Sequence, residues 1–198
     1  TGITTREEDF VEKLFVTSTH NHILFFSSKG KMYRLKAYEI PEAGRQAKGT
    51  AIVNLLELAP GEKISTTITL REFSDDKYLT FVTKNGIIKR SPLSDYDTNR
   101  KNGFWAIGLD EGDEVIRVEL TDGSCDLIIG TANGMAIRFN EADARVMGRT
   151  ARGVRAIRLD DGDSVVGASV VREGTRLLVV SENGYGKKTE FDEYHVQN

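Results

Sequence analysis

VTKNGIIKRS, residues 82–91, sets a pattern that the chain repeats three more times. Aligned on its glycine, residues 27–36 read SSKGKMYRLK, 130–139 read GTANGMAIRF and 180–189 read VSENGYGKKT. The aligned glycines Gly30, Gly86, Gly134 and Gly184 lie 56, 48 and 50 residues apart, and each is followed by basic residues. A second glycine, at Gly49, Gly103 and Gly153, closes the strings RQAKG, RKNG and RTARG. A third, at Gly61, Gly112 and Gly162, marks a return turn in APGEKI, DEGDEVI and DDGDSVV. Self-similarity at about fifty residues is the signature of a stacked or radial repeat, because one such unit cannot bury its apolar face alone.

The third unit reads most clearly. Val115 to Leu120 is aliphatic and β-branched, TDGSCD supplies a turn, and Leu127 to Thr131 forms a second apolar run. Asn133 and Gly134 predict a type I′ hairpin, Met135 to Phe139 a third strand, and VRAIRL after Gly153 an alternating fourth. The same order fits Val11 to Leu56, with AIVNLL as its fourth strand, and Ile64 to Leu109. The units are then about 9–60, 61–111, 112–161 and 162–198, the last truncated, in a single repeat-built domain over 1–198. The expectation is an all-β, propeller-like set of about four four-stranded blades, since radial packing protects most sheet edges.

Of the 198 residues 39% are hydrophobic, enough for a shared core, and the longest apolar runs are as short as ILFF and LLVV. No membrane span or secretory leader is expected, and the chain reads as soluble and intracellular. The single Cys125 has no thiol partner and reads as a small buried residue. A net charge of −3 argues against nucleic acid, but its distribution does not. The segments Gly30 to Gly49, Gly86 to Gly103 and Gly134 to Gly153 hold 13 Lys and Arg against 6 Asp and Glu, which leaves the rest of the chain at −10. Positive charge thus recurs at one phase of the repeat, and a radial array would gather that phase on one surface.

The basic sets are Lys31, Arg34, Lys36, Arg45 and Lys48; Lys89, Arg90, Arg100 and Lys101; Arg138, Arg145, Arg149 and Arg152; and Lys187 and Lys188. Any one of them could simply solvate a strand, but recurrence at matching phases favours contact with phosphates, with backbone binding and deformability rather than base reading. Trp105 in the alternating FWAIGL reads as packing, at the position of Ala51 and Arg155 in sister units. His20 and His22 in THNH lack a third metal ligand, and the acidic turns lack the spacing of a calcium loop. With no phosphate-loop lysine, nucleophile elbow or nucleophile and base set, the chain is expected to be non-catalytic by itself. A propeller-type scaffold whose basic patch meets an acidic protein is the competing reading.

The strings HNHILFFSSKGKMYRLKAYEIPEAGRQAKGTAIVNLL, TKNGIIKRS, MGRTARGVRAIRLDDGDSVV and SENGYGKKT closely resemble the C-terminal domain of bacterial DNA gyrase A, over essentially the whole chain. The corresponding part of topoisomerase IV shares the repeat and usually diverges more in these strings. The resemblance implies a β-pinwheel whose neighbouring blades exchange strands, and a basic rim that wraps double-stranded DNA. It also implies a supporting role in ATP-dependent negative supercoiling by a cytoplasmic holoenzyme. The implied partners are gyrase B and the cleavage core of gyrase A, and ATP and Mg2+ are implied for the holoenzyme with no cofactor here. Arg45, Lys48, Arg100, Lys101, Arg149 and Arg152 carry over as rim contacts, and Lys89, Arg90, Arg138, Lys187 and Lys188 as contacts near the hairpins. The family's basic heptad of the QRRGGRG type does not occur in this sequence; TGITT matches the residues just after it, so the heptad and about two further blades are expected to lie outside the chain.

Overall fold

The computed structural model describes residues 11, 13–44, 47–100 and 102–197. Among them the strands are β1 (His22–Ser27), β2 (Lys31–Lys36), β3 (Ile64–Leu70), β4 (Tyr78–Thr83), β5 (Ile87–Pro92), β6 (Phe104–Trp105), β7 (Val115–Thr121), β8 (Asp126–Thr131), β9 (Ala136–Asn140), β10 (Val154–Arg155), β11 (Val165–Val170), β12 (Arg176–Val180), β13 (Gly186–Glu190) and β14 (Val196–Gln197). The helical elements among the described residues are 3₁₀ turns of three or four residues, and no described helix is long and apolar enough to cross a membrane. The chain is all-β, as its repeat predicts.

The sheets run β3-β1-β2-β6, β10-β5-β4-β7, β11-β8-β9-β14 and β12-β13. Each of the first three sequence hairpins supplies the middle of a four-stranded sheet, but the flanking strands come from the next unit along the chain, and the fourth hairpin, β12-β13, pairs only with itself among the described residues. Thus β6, in the second unit, pairs with β2 in the first through Lys31 opposite Trp105 and Met32 opposite Phe104. Likewise β10 of the third unit pairs with β5 of the second. The sequence units are therefore not the blades. The exchanged strands are also short: only Val154–Arg155 of VRAIRL pairs, and AIVNLL forms a 3₁₀ turn at Ile52–Asn54 instead of a strand. No strand forms at Val11 or residues 13–17.

The hairpins close with an N–H to carbonyl bond from each aligned glycine, for example Gly86 N to Thr83 O at 3.1 Å. Among the described residues only glycines take positive φ, so the expected type I′ turn is absent. Its place is taken by a three-residue loop with the glycine in the left-handed region. The acidic return turns steady these loops: the Asp113 carboxylate accepts N–H bonds from Asn85 at 2.9 Å and Glu114 at 2.8 Å, and Asp163 does the same for Asn133 and Ser164.

The core lies between sheets. Leu24, Phe26 and Met32 of the first meet Leu79, Phe81 and Tyr96 of the second, with Ala106 and Ile107 extending from the exchanged strand into the same cluster. Phe26 and Phe81 meet edge to face at 5.5 Å, an arrangement worth about 0.5–1.5 kcal/mol beyond its buried area. A second cluster joins Val82 and Ile88 to Leu127, Ile129 and Phe139 of the third sheet. Because Ile23 and Phe25 are covered on the opposite face by Leu35 and Leu56, β1 reads as a continuous apolar run. The edge strands β3, β7 and β11 succeed one another in space, with Thr66 Oγ1 accepting from Val118 N at 3.1 Å.

Candidate nucleic-acid interface

The basic residue four places after each hairpin glycine is Arg34, Arg90, Arg138 and Lys188. In the first three units it is a clamp on a connection in the next unit. Arg34 Nη1 donates to Asp97 Oδ1 at 2.8 Å and to the Thr98 carbonyl at 2.7 Å, with its guanidinium 5.0 Å from the Phe73 ring centre. Arg90 Nε donates to Ala144 O at 3.1 Å, its Nη1 lies 3.6 Å from the buried Glu141 carboxylate, and it stacks on Tyr78. Arg138 grips Asp126 Oδ2 through Nε and Nη2 at 3.1 and 2.9 Å, and gives Nη1 to Phe191 O at 2.8 Å. The backbone repeats the theme: Arg90 bridges Val146 in parallel, as Arg138 pairs with Val196.

Lys89 is more deeply committed. It is completely buried, and its ammonium donates to Tyr96 Oη at 3.0 Å, to Ala106 O at 2.5 Å and to the Arg149 carbonyl. All three N–H bonds are thereby used. The faces of Phe81 and Tyr96 lie 4.7 and 5.6 Å away. Burial, reinforced by the nearby Arg149 charge, pushes Lys89 down to about 7. Lys89 and Arg90 are buried, and Arg34 and Arg138 keep only 16% and 14% of their side chains exposed while bonding to carbonyls and carboxylates of the fold, so all four act as internal clamps where the sequence led one to expect phosphate contacts. Recurrence at a fixed phase reflects a recurring structural need.

The other cations, exposed at Arg100 and Arg152 and half-buried at Lys31 and Arg149, gather elsewhere. Arg149 lies with its guanidinium 4.7 Å from the Phe104 ring and donates Nη1 to the Trp105 carbonyl. Arg100 shares with Phe104 and Arg149 a groove of about 260 Å³. Lys31 Nζ stands 5.4 Å over the Trp105 ring. Arg152, exposed, pairs at 2.7 Å with Asp110, also exposed, beside the strand that continues from Trp105. Lys31 comes from the first sequence unit, Arg100 and Trp105 from the second, and Arg149 and Arg152 from the third, so one ridge collects three units. Asp95 and Asp97 also line it. Lys48 and Arg145 are exposed on connections, and Lys187 and Lys188 are exposed on β13. Arg45 and Lys101 lie outside the described residues.

Three further surface residues escape a reading of the sequence alone. Trp105, expected to pack, is 55% exposed. Arg155, its counterpart, is exposed opposite Ile87 as Trp105 is opposite Lys31, and Arg158 is exposed on the same run. The available signal was the position of the exchanged strand, whose outward side chains come directly after the second glycine of each unit.

A family model described as the DNA gyrase C-terminal domain, a β-propeller, matches residues 21–70, 77–122, 126–172 and 175–198. The chain belongs to the DNA gyrase C-terminal domain family. It is 50% identical over its full length to the A subunit of DNA gyrase from Staphylococcus epidermidis, and spans 22% of that protein. Among solved structures, the C-terminal domain of a DNA topoisomerase IV aligns with a TM-score of 0.89 at 27% identity, covering 99% of this chain and 61% of that one. A DNA gyrase A C-terminal domain aligns at 0.77 and 31% identity, covering 92% and 58%.

This gyrase-family domain holds, among its described residues, one group of metal-type ligands, Asp122, Cys125 and Glu141. Its chemistry is internal. The Glu141 carboxylate accepts from the Thr121 hydroxyl at 2.6 Å, from Gly123 N at 2.8 Å and from Cys125 N at 2.9 Å. Asp122 is held down to about 2 by N–H, thiol and hydroxyl bonds from Ser124 and Cys125. Cys125 is half-buried rather than buried, and desolvation raises its thiol to about 11. His22 is buried with Nε2 3.0 Å from Lys36 Nζ, and burial with the charges of Arg34 and Lys36 lowers its pKa.

Proposed function

We propose that this chain is the DNA-bending and wrapping module of a type II topoisomerase of the gyrase kind. The observation that carries the reading is the ridge on which Lys31, Arg100, Arg149 and Arg152, from three sequence units, gather around Phe104 and Trp105. The cationic groups on it are spaced along short strands and connections, with no described helix long enough to enter a major groove. Phosphate contact and the deformability of the duplex are then the mode of binding, and sequence is not read. Lys48, Arg145, Lys187 and Lys188 extend the basic surface beyond the ridge. In the holoenzyme the module bends DNA so that a second segment crosses the cleavage core of gyrase A. ATP, Mg2+ and gyrase B act elsewhere, and the assembly works in the cytoplasm. The chain itself makes and breaks no bond.

The test is a titration of duplex DNA at several salt concentrations. Log affinity should fall linearly with log salt, with a slope of about −0.9 for each phosphate neutralised. Replacing Arg100 and Arg152 together by Glu should weaken binding and flatten that slope. Equal affinity and slope for wild type and the double variant would refute the ridge as the DNA surface; binding of an acidic protein with no DNA affinity at low salt would favour the scaffold reading.

A further inference from the structure

Trp105 is the one tryptophan of the chain, and more than half of it faces solvent. So large an apolar side chain is ordinarily well covered. Two features hold it outward. Its backbone is fixed to β2 by the pairing of Trp105 with Lys31, and its carbonyl accepts from Arg149 Nη1. One face of the indole is occupied by the Lys31 ammonium, 5.4 Å from the ring centre. Beside it a groove of about 490 Å³ runs past Ile107, Leu109 and Thr150.

Resting on the DNA-binding reading above, we propose that Trp105 is a non-ionic contact to the duplex, packing its free indole face on a deoxyribose between two phosphates held by ridge cations. Insertion between base pairs needs both faces of a ring, and Lys31 covers one. A ring with one free face, set among cations, fits the sugar, the apolar surface an intact duplex exposes between its phosphates. Lys31, held over the other face, is placed for the phosphate next to that sugar. The neighbouring blade carries Arg155 at the same outward position, opposite Ile87. Successive blades thus carry either a cation or an aromatic ring at the same strand position, and both suit a sugar-phosphate strand.

The experiment combines titration with Trp105 emission. Trp105→Ala should weaken duplex binding roughly fivefold to tenfold, the low end of what an aromatic contact to a nucleotide is worth, with an unchanged salt slope because no counterion is released at an indole. Arg152→Ala should flatten the slope by about one phosphate contact. Wild-type emission should shift on saturation with duplex, and Trp105→Phe should recover most of the lost affinity, which also separates a binding defect from misfolding. Unmoved emission during demonstrable duplex binding, or unchanged affinity of Trp105→Ala, would overturn the proposal. So would a loss confined to single-stranded DNA, which would make Trp105 a base-stacking platform. Failure of the wild type to bind DNA at all would instead refute the wrapping function, before Trp105 is reached.

Discussion

Lys89 puts an ammonium where no solvent reaches it, against carbonyls from two other segments, and the charge of Asp95 offsets its burial only in part. Its pKa is lowered to about 7 in the fold, against about 10.4 in an unfolded chain. Between those values the unfolded chain holds a proton that the folded one has lost, so stability rises as pH goes from 7 toward 10. Above pH 10 the trend reverses, because burial raises Tyr33 and Tyr96 above the ordinary tyrosine value and unfolding lets them ionise. Lys89→Met should abolish the rise between pH 7 and about 9.5 in thermal unfolding. It should also lower stability by about 1–3 kcal/mol, since the freed carbonyls lose their donor. A rise of the same size in the variant would show that another group titrates. A second contrast uses one phase of the repeat twice. Arg90→Ala, which strips a buried charge partner from Glu141, should cost about 3 kcal/mol or more, whereas the exposed Lys188→Ala should stay within about 0.5 kcal/mol. Chemical denaturation of the two variants decides it. The sequence could not separate these cases: a repeat duplicates its internal clamps as faithfully as its surface, and Arg90 and Lys188 look alike until their neighbours are known.

At the scale of elements, the exchanged strands explain the second glycine of the second and third units. Gly153 has φ +107°, and a Cβ there would lie 2.4 Å from the Ile88 carbonyl oxygen. The chain must pass this close for Val154 to pair with Ile88. Gly49, at the same phase, has nothing within 4 Å. Gly153→Ala should therefore destabilise by about 2 kcal/mol or more, since the native backbone is incompatible with a side chain, while Gly49→Ala should be neutral or slightly stabilising. Equal midpoints in denaturant for the two would contradict the close approach. The hairpins were legible because their signals are local: Asn85 and Gly86 sit between apolar runs that pair only a few residues apart. The partners of β6 and β10 were not, because nothing in FW or VR says which sheet across the fold will accept them. AIVNLL looked like a strand for the same reason. Its apolar residues are real, but Leu55 and Leu56 cover the outer face of the first sheet instead of lengthening it.

For the whole molecule, acidic and basic residues nearly cancel, and what matters is their segregation. Acids such as Asp113 and Asp163 are drawn into turns, where they accept backbone N–H bonds, while cations from three sequence units gather around Phe104 and Trp105, with Asp95, Asp97 and Asp110 among them. Counting Lys31, Arg100, Arg149 and Arg152 as one phosphate each, the ridge should give a salt slope of roughly −3 to −4. Bending a site of 20–30 base pairs by 40–90° costs on the order of 1–6 kcal/mol, which a few distributed contacts can offset and one contact cannot. The all-β repeat and its basic phase were visible in the sequence; which cations of that phase reach solvent depended on the exchange of strands, which local patterns do not encode. The most direct measurement is energy transfer between dyes at the two ends of a duplex of roughly 30 base pairs, with and without this chain. The ridge predicts that the ends draw together on binding, less so as salt rises, and that Arg100→Glu with Arg152→Glu leaves them apart. Duplex ends that stay at their free separation while the wild-type chain is bound would contradict it.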